Sequence, residues 1–155
     1  LAEQHNLSVH LPEIGEIKTN SYHEQLDVII SEGYKIVSFT FGNLDKQSID
    51  KLKNNGIILI GTCTSVNEAL ILEKSGIDII CVQGIEAGGH RGSFSDENTP
   101  KIGGFSLLSK IYDSLSLPLI YAGGLYNASA PYIGSPRFSD RQPLIGISRK
   151  CFKRV

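Results

Sequence analysis

The stretch with the most chemical potential runs Gln83-Gly84-Ile85-Glu86-Ala87-Gly88-Gly89-His90-Arg91-Gly92-Ser93-Phe94. Glycines at 84, 88, 89 and 92 allow the backbone to approach a ligand closely or to take positive φ. His90 lies among them. An imidazole titrates near neutrality, so a histidine held on such a loop can act as a general base. The same residue could instead brace the loop or face solvent. Glu86 could orient the imidazole or bind a substrate cation, although a loop carboxylate is more often solvated. His5, His10 and His23 have no comparable setting and are read as surface residues.

A second candidate is Ala122-Gly123-Gly124, which closes an apolar run. Backbone N–H groups there can bind a phosphate, particularly ahead of a helix N-terminus. A glycine pair also marks ordinary turns. The chain has no G-x-x-x-x-G-K-[ST] and no G-x-G-x-x-G, which disfavours the P-loop and Rossmann readings. No His, Cys and carboxylate cluster has the spacing of a metal site. Cys63, Cys81 and Cys151 are odd in number and lack C-x-x-C spacing, so neither a disulfide scaffold nor a zinc site is expected. A reducing, cytoplasmic setting fits that usage.

These residues need elements to hold them, and the sequence supplies an alternation of helical and strand patterns from Ser21 to Gly124. Ser21 with Glu24 forms a capping box for a helix that Gly33 stops, with Tyr22, Leu26, Ile29 and Ile30 on one face. Lys35 to Phe39 reads as a strand ending in Thr40-Phe41-Gly42. Asp45 caps a second helix, and Ile57 to Ile60 is a continuous apolar strand of the kind buried on both faces. Ser65 with Glu68 repeats the capping box before a third helix stopped at Gly76. Ile77 to Val82 is the third strand, Phe105 to Leu115 the fourth helix, and Leu117 to Ala122 the fourth strand.

Strand centres at Val37, Leu59 and Ile80 stand 22 and 21 residues apart, the interval of parallel strands joined by helical crossovers. An open doubly wound sheet and a (β/α)8 barrel both satisfy it, and both put chemistry at the C-terminal strand ends. The next interval, Ile80 to Ile120, is 40 residues and contains the His90 loop as an insertion.

Composition bounds the remainder. With 155 residues and 41% hydrophobic content the chain supports one core. A net charge of -1 and that content exclude a disordered chain, and no apolar run approaches the ~20 residues of a membrane span. No secretory signal opens it. Methionine is absent, so Leu1 is expected to begin a fragment. Residues 1–136 hold 9 basic and 15 acidic groups, whereas 137–155 hold 6 basic groups against Asp140 alone. No aromatic interleaving accompanies this basic tail, so no nucleic-acid partner is expected.

The Gln83 to Phe94 stretch resembles the signature of the nitronate monooxygenases, also called 2-nitropropane dioxygenases. Val37-Ser38-Phe39-Thr40-Phe41-Gly42, Gly61-Thr62-Cys63-Thr64-Ser65-Val66-Asn67-Glu68-Ala69 and Pro118-Leu119-Ile120-Tyr121-Ala122-Gly123-Gly124-Leu125 resemble, in the same order, that family's successive strand ends. The resemblance covers residues 1–125 and implies part of an FMN-containing (β/α)8 barrel that oxidises alkyl nitronates with oxygen. His90 would correspond to the base that removes the α-proton of a neutral nitroalkane, a step the preformed nitronate does not need. Gln83 and Gly88 would contact FMN, and Gly123 with Gly124 would contribute to its phosphate site. The flavin would accept an electron from the anionic substrate, and oxygen chemistry would yield a carbonyl compound and an oxidised nitrogen species.

After Leu125 the resemblance fades. Residues 126–155 read as a divergent basic tail in which Pro131, Pro136 and Pro143 discourage regular structure, and Tyr132-Ile133-Gly134-Ser135 looks like a displaced remnant of the family's next turn. Two other readings stand beside the first: a flavin-dependent enoyl-acyl carrier protein reductase, which carries a related loop histidine, and a non-catalytic barrel remnant.

Overall fold

Polar caps decide where three of the helices begin. In the computed structural model, which describes residues 3–5, 15, 21–95, 100–125 and the backbone of 144–147, Ser21 Oγ accepts the His23 N–H at the start of α1 (Tyr22–Ser31). Asp45 accepts the Ser48 N–H at 2.8 Å to open α2 (Lys46–Asn54), and Ser65 accepts the Glu68 N–H at 3.2 Å to open α3 (Val66–Ser75). Gly76 at φ 92° ends α3 in the left-handed conformation that glycine adopts without a steric penalty. The two expected capping boxes differ from expectation in detail. Ser21 bonds the N–H of residue 23 rather than that of Glu24, and the Glu68 carboxylate reaches past Ser65 to Thr64.

The strands are β1 (Ile36–Phe39), β2 (Ile58–Cys63), β3 (Ile79–Gln83), β4 (Leu119–Ala122) and β5 (Leu144–Ile147). They form one parallel sheet in the order β1-β2-β3-β4-β5, and α4 (Gly104–Ser114) precedes β4. A doubly wound sheet reverses its strand order at a switch point and covers both faces with helices. Here the order never reverses, and the buried cluster places the helices on one face. That is an arc of a (β/α)8 barrel, as the resemblance implied.

Alternation along β2 separates the two faces. Leu59 and Cys63 are fully buried, and a Cβ built on Gly61 would lie 2.8 Å from Leu72 Cδ2, so these positions point at α3. Glycine at 61 is what lets the helix approach so closely. Ile80, Val82 and Leu119 extend this face, packed with Leu52, Leu107 and Ile111. On the opposite face, Ile36 and Ile58 are 58% and 43% exposed. The expectation that residues 57–60 are buried on both faces is therefore corrected: Ile58, on the barrel-interior side, is open among the described residues.

Two strand boundaries also move. β2 runs three residues beyond Ile60, because Gly61, Thr62 and Cys63 pair with Ile80, Cys81 and Val82. The expected absence of regular structure after Leu125 fails at residues 144–147, which pair in register with Leu119 to Ala122. Pro143, which precedes that strand in sequence, lies outside the described residues. Pro131, Pro136, Tyr132 to Ser135 and Arg137 lie outside the described residues.

Candidate active site at the C-terminal strand ends

The parallel register sets Phe39 beside Gly61, Cys63 beside Val82, and Gln83 beside Ala122, so the polar strand ends lie in one row. From β3 the insertion folds back over them. Gln83 Nε2 donates to the His90 carbonyl at 3.0 Å, and the Gly92 N–H donates to Gln83 Oε1 at 2.7 Å. Arg91 Nη1 donates to the carbonyls of Gln83 and Gly84 at 2.9 and 2.7 Å, and its Nη2 to that of Pro100 at 3.2 Å. The guanidinium thus braces backbone. Gly92 is buried, and a Cβ there would lie 2.6 Å from Thr40 Cγ2 and 3.0 Å from Thr62 Cγ2. Only glycine lets the loop descend to that depth.

A buried carboxylate fixes the far end of the loop. Glu68 is 8% exposed; its Oε2 accepts from the Thr64 N–H and hydroxyl at 2.6 and 2.9 Å, and its Oε1 from the Phe94 N–H at 3.0 Å. Three donors satisfy a charge that burial would otherwise make costly. The residue that reads as half of a capping box therefore ties the end of β2 to the His90 loop.

His90 itself is exposed, and its ring meets Phe41 edge to face, with centroids 6.0 Å apart and planes at 86°. Phe41 has φ 70°, the one non-glycine with positive φ among the described residues, and it is 62% exposed. A bulky side chain in the left-handed region costs of order 1–3 kcal/mol and persists only where its surroundings impose it. Four residues on, the Asp45 carboxylate accepts from Tyr22 Oη and Ser48 and pairs with His23 Nε2 at 2.8 Å, which ties the end of the same loop to α1 and α2.

Glu86 is not partnered with His90. Its carboxylate accepts the Gly104 N–H at 2.9 and 3.1 Å, capping a helix whose own N-cap, Gly103, has no side chain. A carboxylate there also complements the helix dipole. Gly123 and Gly124 follow β4 at φ 105° and 67°, and a Cβ on Gly123 would fall 2.7 Å from Ala87, so this turn packs against the loop after β3. Gly124 and Gly88 are both exposed.

Other titratable groups serve the interior. Burial pushes the thiols of Cys63 and Cys81 up, opposed at Cys81 by a hydrogen bond with Thr62, so neither is a thiolate at neutral pH. Burial and then the nearby Glu86 charge raise Tyr121. No metal-binding group of His, Cys, Asp or Glu occurs among the described residues, and no helix there is long and apolar enough to cross a membrane.

The family model for nitronate monooxygenase matches residues 2–130. The chain belongs to the nitronate monooxygenase family. A probable nitronate monooxygenase of Staphylococcus saprophyticus is 41% identical over 121 residues, covering 76% of this chain and 34% of that protein. Nitroalkane oxidase from Streptomyces ansochromogenes superposes with a TM-score of 0.64 at 34% identity, covering 67% of this chain and 31% of its own. FabK from Thermotoga maritima gives a TM-score of 0.62 at 26% identity, covering 80% and 36%. The chain spans about a third of the length of the curated relatives it matches.

Within this nitronate monooxygenase segment, sequence reasoning placed Gln83, Gly88, His90, Gly123 and Gly124 as site residues, and all five lie at the C-terminal ends of β3 and β4 or in the loops that follow. It missed Phe41 beside His90 and the brace at Glu68. The Thr64-Ser65 pair ahead of Glu68 offered a second set of donors and was the available signal for the brace. Nothing in the local sequence marks the backbone angle of Phe41.

Proposed function

We propose that this chain carries the base and part of the FMN site of an enzyme that oxidises alkyl nitronates and nitroalkanes with oxygen. The observation that carries the reading is His90, exposed at the C-terminal strand ends on a loop that Gln83, Arg91 and Glu68 hold by backbone hydrogen bonds. A base must be presented to substrate in a fixed place, and these bonds fix its backbone without engaging its ring. The role is removal of the carbon-bound α-proton of a neutral nitroalkane by the imidazole, leaving the nitronate anion.

The residues present fit FMN. Gly124, left-handed and exposed, offers its backbone to a phosphate, Gly123 beside it holds the turn against Ala87, and Gly88 presents open backbone on the neighbouring loop. Gln83 spends one N–H and one lone pair on the His90 loop and retains one of each, which suits the edge of a flavin ring. The chemistry FMN supplies when bound is acceptance of electrons from the anionic substrate. Small molecules rather than nucleic acid are the partners of this site.

The test places these residues in a complete barrel of the family. Oxygen uptake on a nitronate supports the proposal. Oxidation of NADH by an enoyl thioester, with no response to nitronate, would assign the chain to the reductase reading instead.

A further inference from the structure

We infer that Phe41 is the wall against which the substrate's alkyl chain packs, and that it sets preference for chain length. The inference rests on His90 as the base for a nitroalkane. Phe41 stands at the end of β1, on a different element from His90, yet its ring lies edge to face with the imidazole at 6.0 Å between centroids. It contributes to no core: 62% of the residue is exposed, and it is absent from the buried cluster. Its backbone is nevertheless held at φ 70°, which an exposed loop phenylalanine would relax if nothing gained from the ring's position.

Geometry then selects the ligand. When the acidic carbon of a nitroalkane faces the imidazole, carbons two to four bonds along its chain come within ~4 Å reach of the Phe41 ring. Arg91, the nearest cation in sequence, is committed to the carbonyls of Gln83, Gly84 and Pro100. The wall beside His90 is therefore apolar and aromatic, suited to an unbranched alkyl group rather than to a second charge. Gly42 at φ 116° follows directly, and Asp45 anchors the loop through Tyr22, His23 and Ser48, so the ring is presented from a braced turn.

The experiment uses the whole chain with labelled histidine and phenylalanine rings, followed by NMR during titration with nitroethane, 1-nitrobutane and 1-nitrohexane, and with the primary alcohols of equal length. The ring signals of both Phe41 and His90 are expected to move, with affinity rising about fourfold for each two added carbons, as when one side of the extension leaves water. Phe41→Gly suits the left-handed backbone, so it should leave the melting temperature unchanged or raised while flattening that rise; Phe41→Leu should keep most of it. An unchanged slope in Phe41→Gly overturns the wall and leaves the function of His90 standing. A chain-length slope at Phe41 for the alcohols alone, with no response to nitroalkanes, keeps the wall and removes the nitroalkane reading. No movement of Phe41 with either series, in a chain with a dispersed amide spectrum, overturns the inference, as does a lowered melting temperature accompanied by an unaltered slope.

Discussion

The two faces of the sheet are built for different purposes. On the helix side, Leu59, Leu72, Ile80 and Leu119 are at most 1% exposed, whereas on the barrel-interior side Ile36 and Ile58 stand 58% and 43% open. The interior face is apolar at the N-terminal strand ends and polar at the C-terminal ends, where Thr40, Thr62 and Gln83 meet the His90 loop. Packing on one side holds the arc together; the other side carries the candidate chemistry and leaves apolar surface for barrel closure to cover. Stability and function therefore respond to substitutions on opposite sides of the same strands.

The largest contrast is expected between Leu72→Ala and Ile58→Ala. Removing Leu72 empties a fully buried site between α3 and Gly61 and should cost about 2–5 kcal/mol by chemical denaturation. Ile58→Ala in this chain should cost below about 1 kcal/mol, because much of that side chain already meets water. In a closed barrel the Ile58 cost should rise toward that of Leu72; a small cost in both settings would break the comparison.

Glu68→Ala comes next. It orphans the Thr64 and Phe94 N–H groups and should cost about 1.5–3 kcal/mol, with faster amide exchange at Phe94 than at Ile80. Equal exchange at both would show that the brace does not hold the loop.

Cofactor retention by the 155-residue chain is expected to be weak, because in the proposed site only Gly123 and Gly124 would serve the phosphate. A purified chain with a full FMN absorbance spectrum would contradict this.

The smallest effect lies at Asp45. Hydrogen bonds from Tyr22, then the Ser48 N–H, then His23 hold its carboxyl well below the ordinary 3.8. A depressed carboxyl stabilises the fold above its unfolded value, and that contribution is lost only as pH falls below 3.8 toward the folded value. The group is exposed, so the effect is slight. The α1 and α2 signals should stay constant from pH 7 to 5 and change below 3.8, whereas signals that stay constant below 3.8 would break this account of Asp45.

Legibility of the sequence followed the range of the interactions. The caps at Ser21, Asp45 and Ser65 and the stop at Gly76 act within four residues, so their types alone announced them. The strands showed as apolar runs at regular spacing, although choosing a barrel over an open sheet took the sequential strand order or the family resemblance. What remained hidden was set by distant partners. Glu86 caps a helix 18 residues on, and Glu68 reaches Phe94 across 26 residues. β5 escaped notice because it has only three apolar side chains and a glycine, in a stretch of sequence that carries three prolines. Phe41 was quoted only as part of a strand end, since a backbone angle imposed by tertiary packing leaves no local mark.

The central claim is that His90 removes a carbon-bound proton. The measurement that meets it most directly compares His90→Asn with the parent in a complete, FMN-loaded barrel of the family, using nitroalkane and preformed nitronate of the same carbon chain. Turnover of the neutral nitroalkane should fall by about 100-fold to 10,000-fold, the usual contribution of a general base, while turnover of the nitronate is retained. Equal losses on both substrates would contradict the claim and assign His90 to binding or to the structure of its loop.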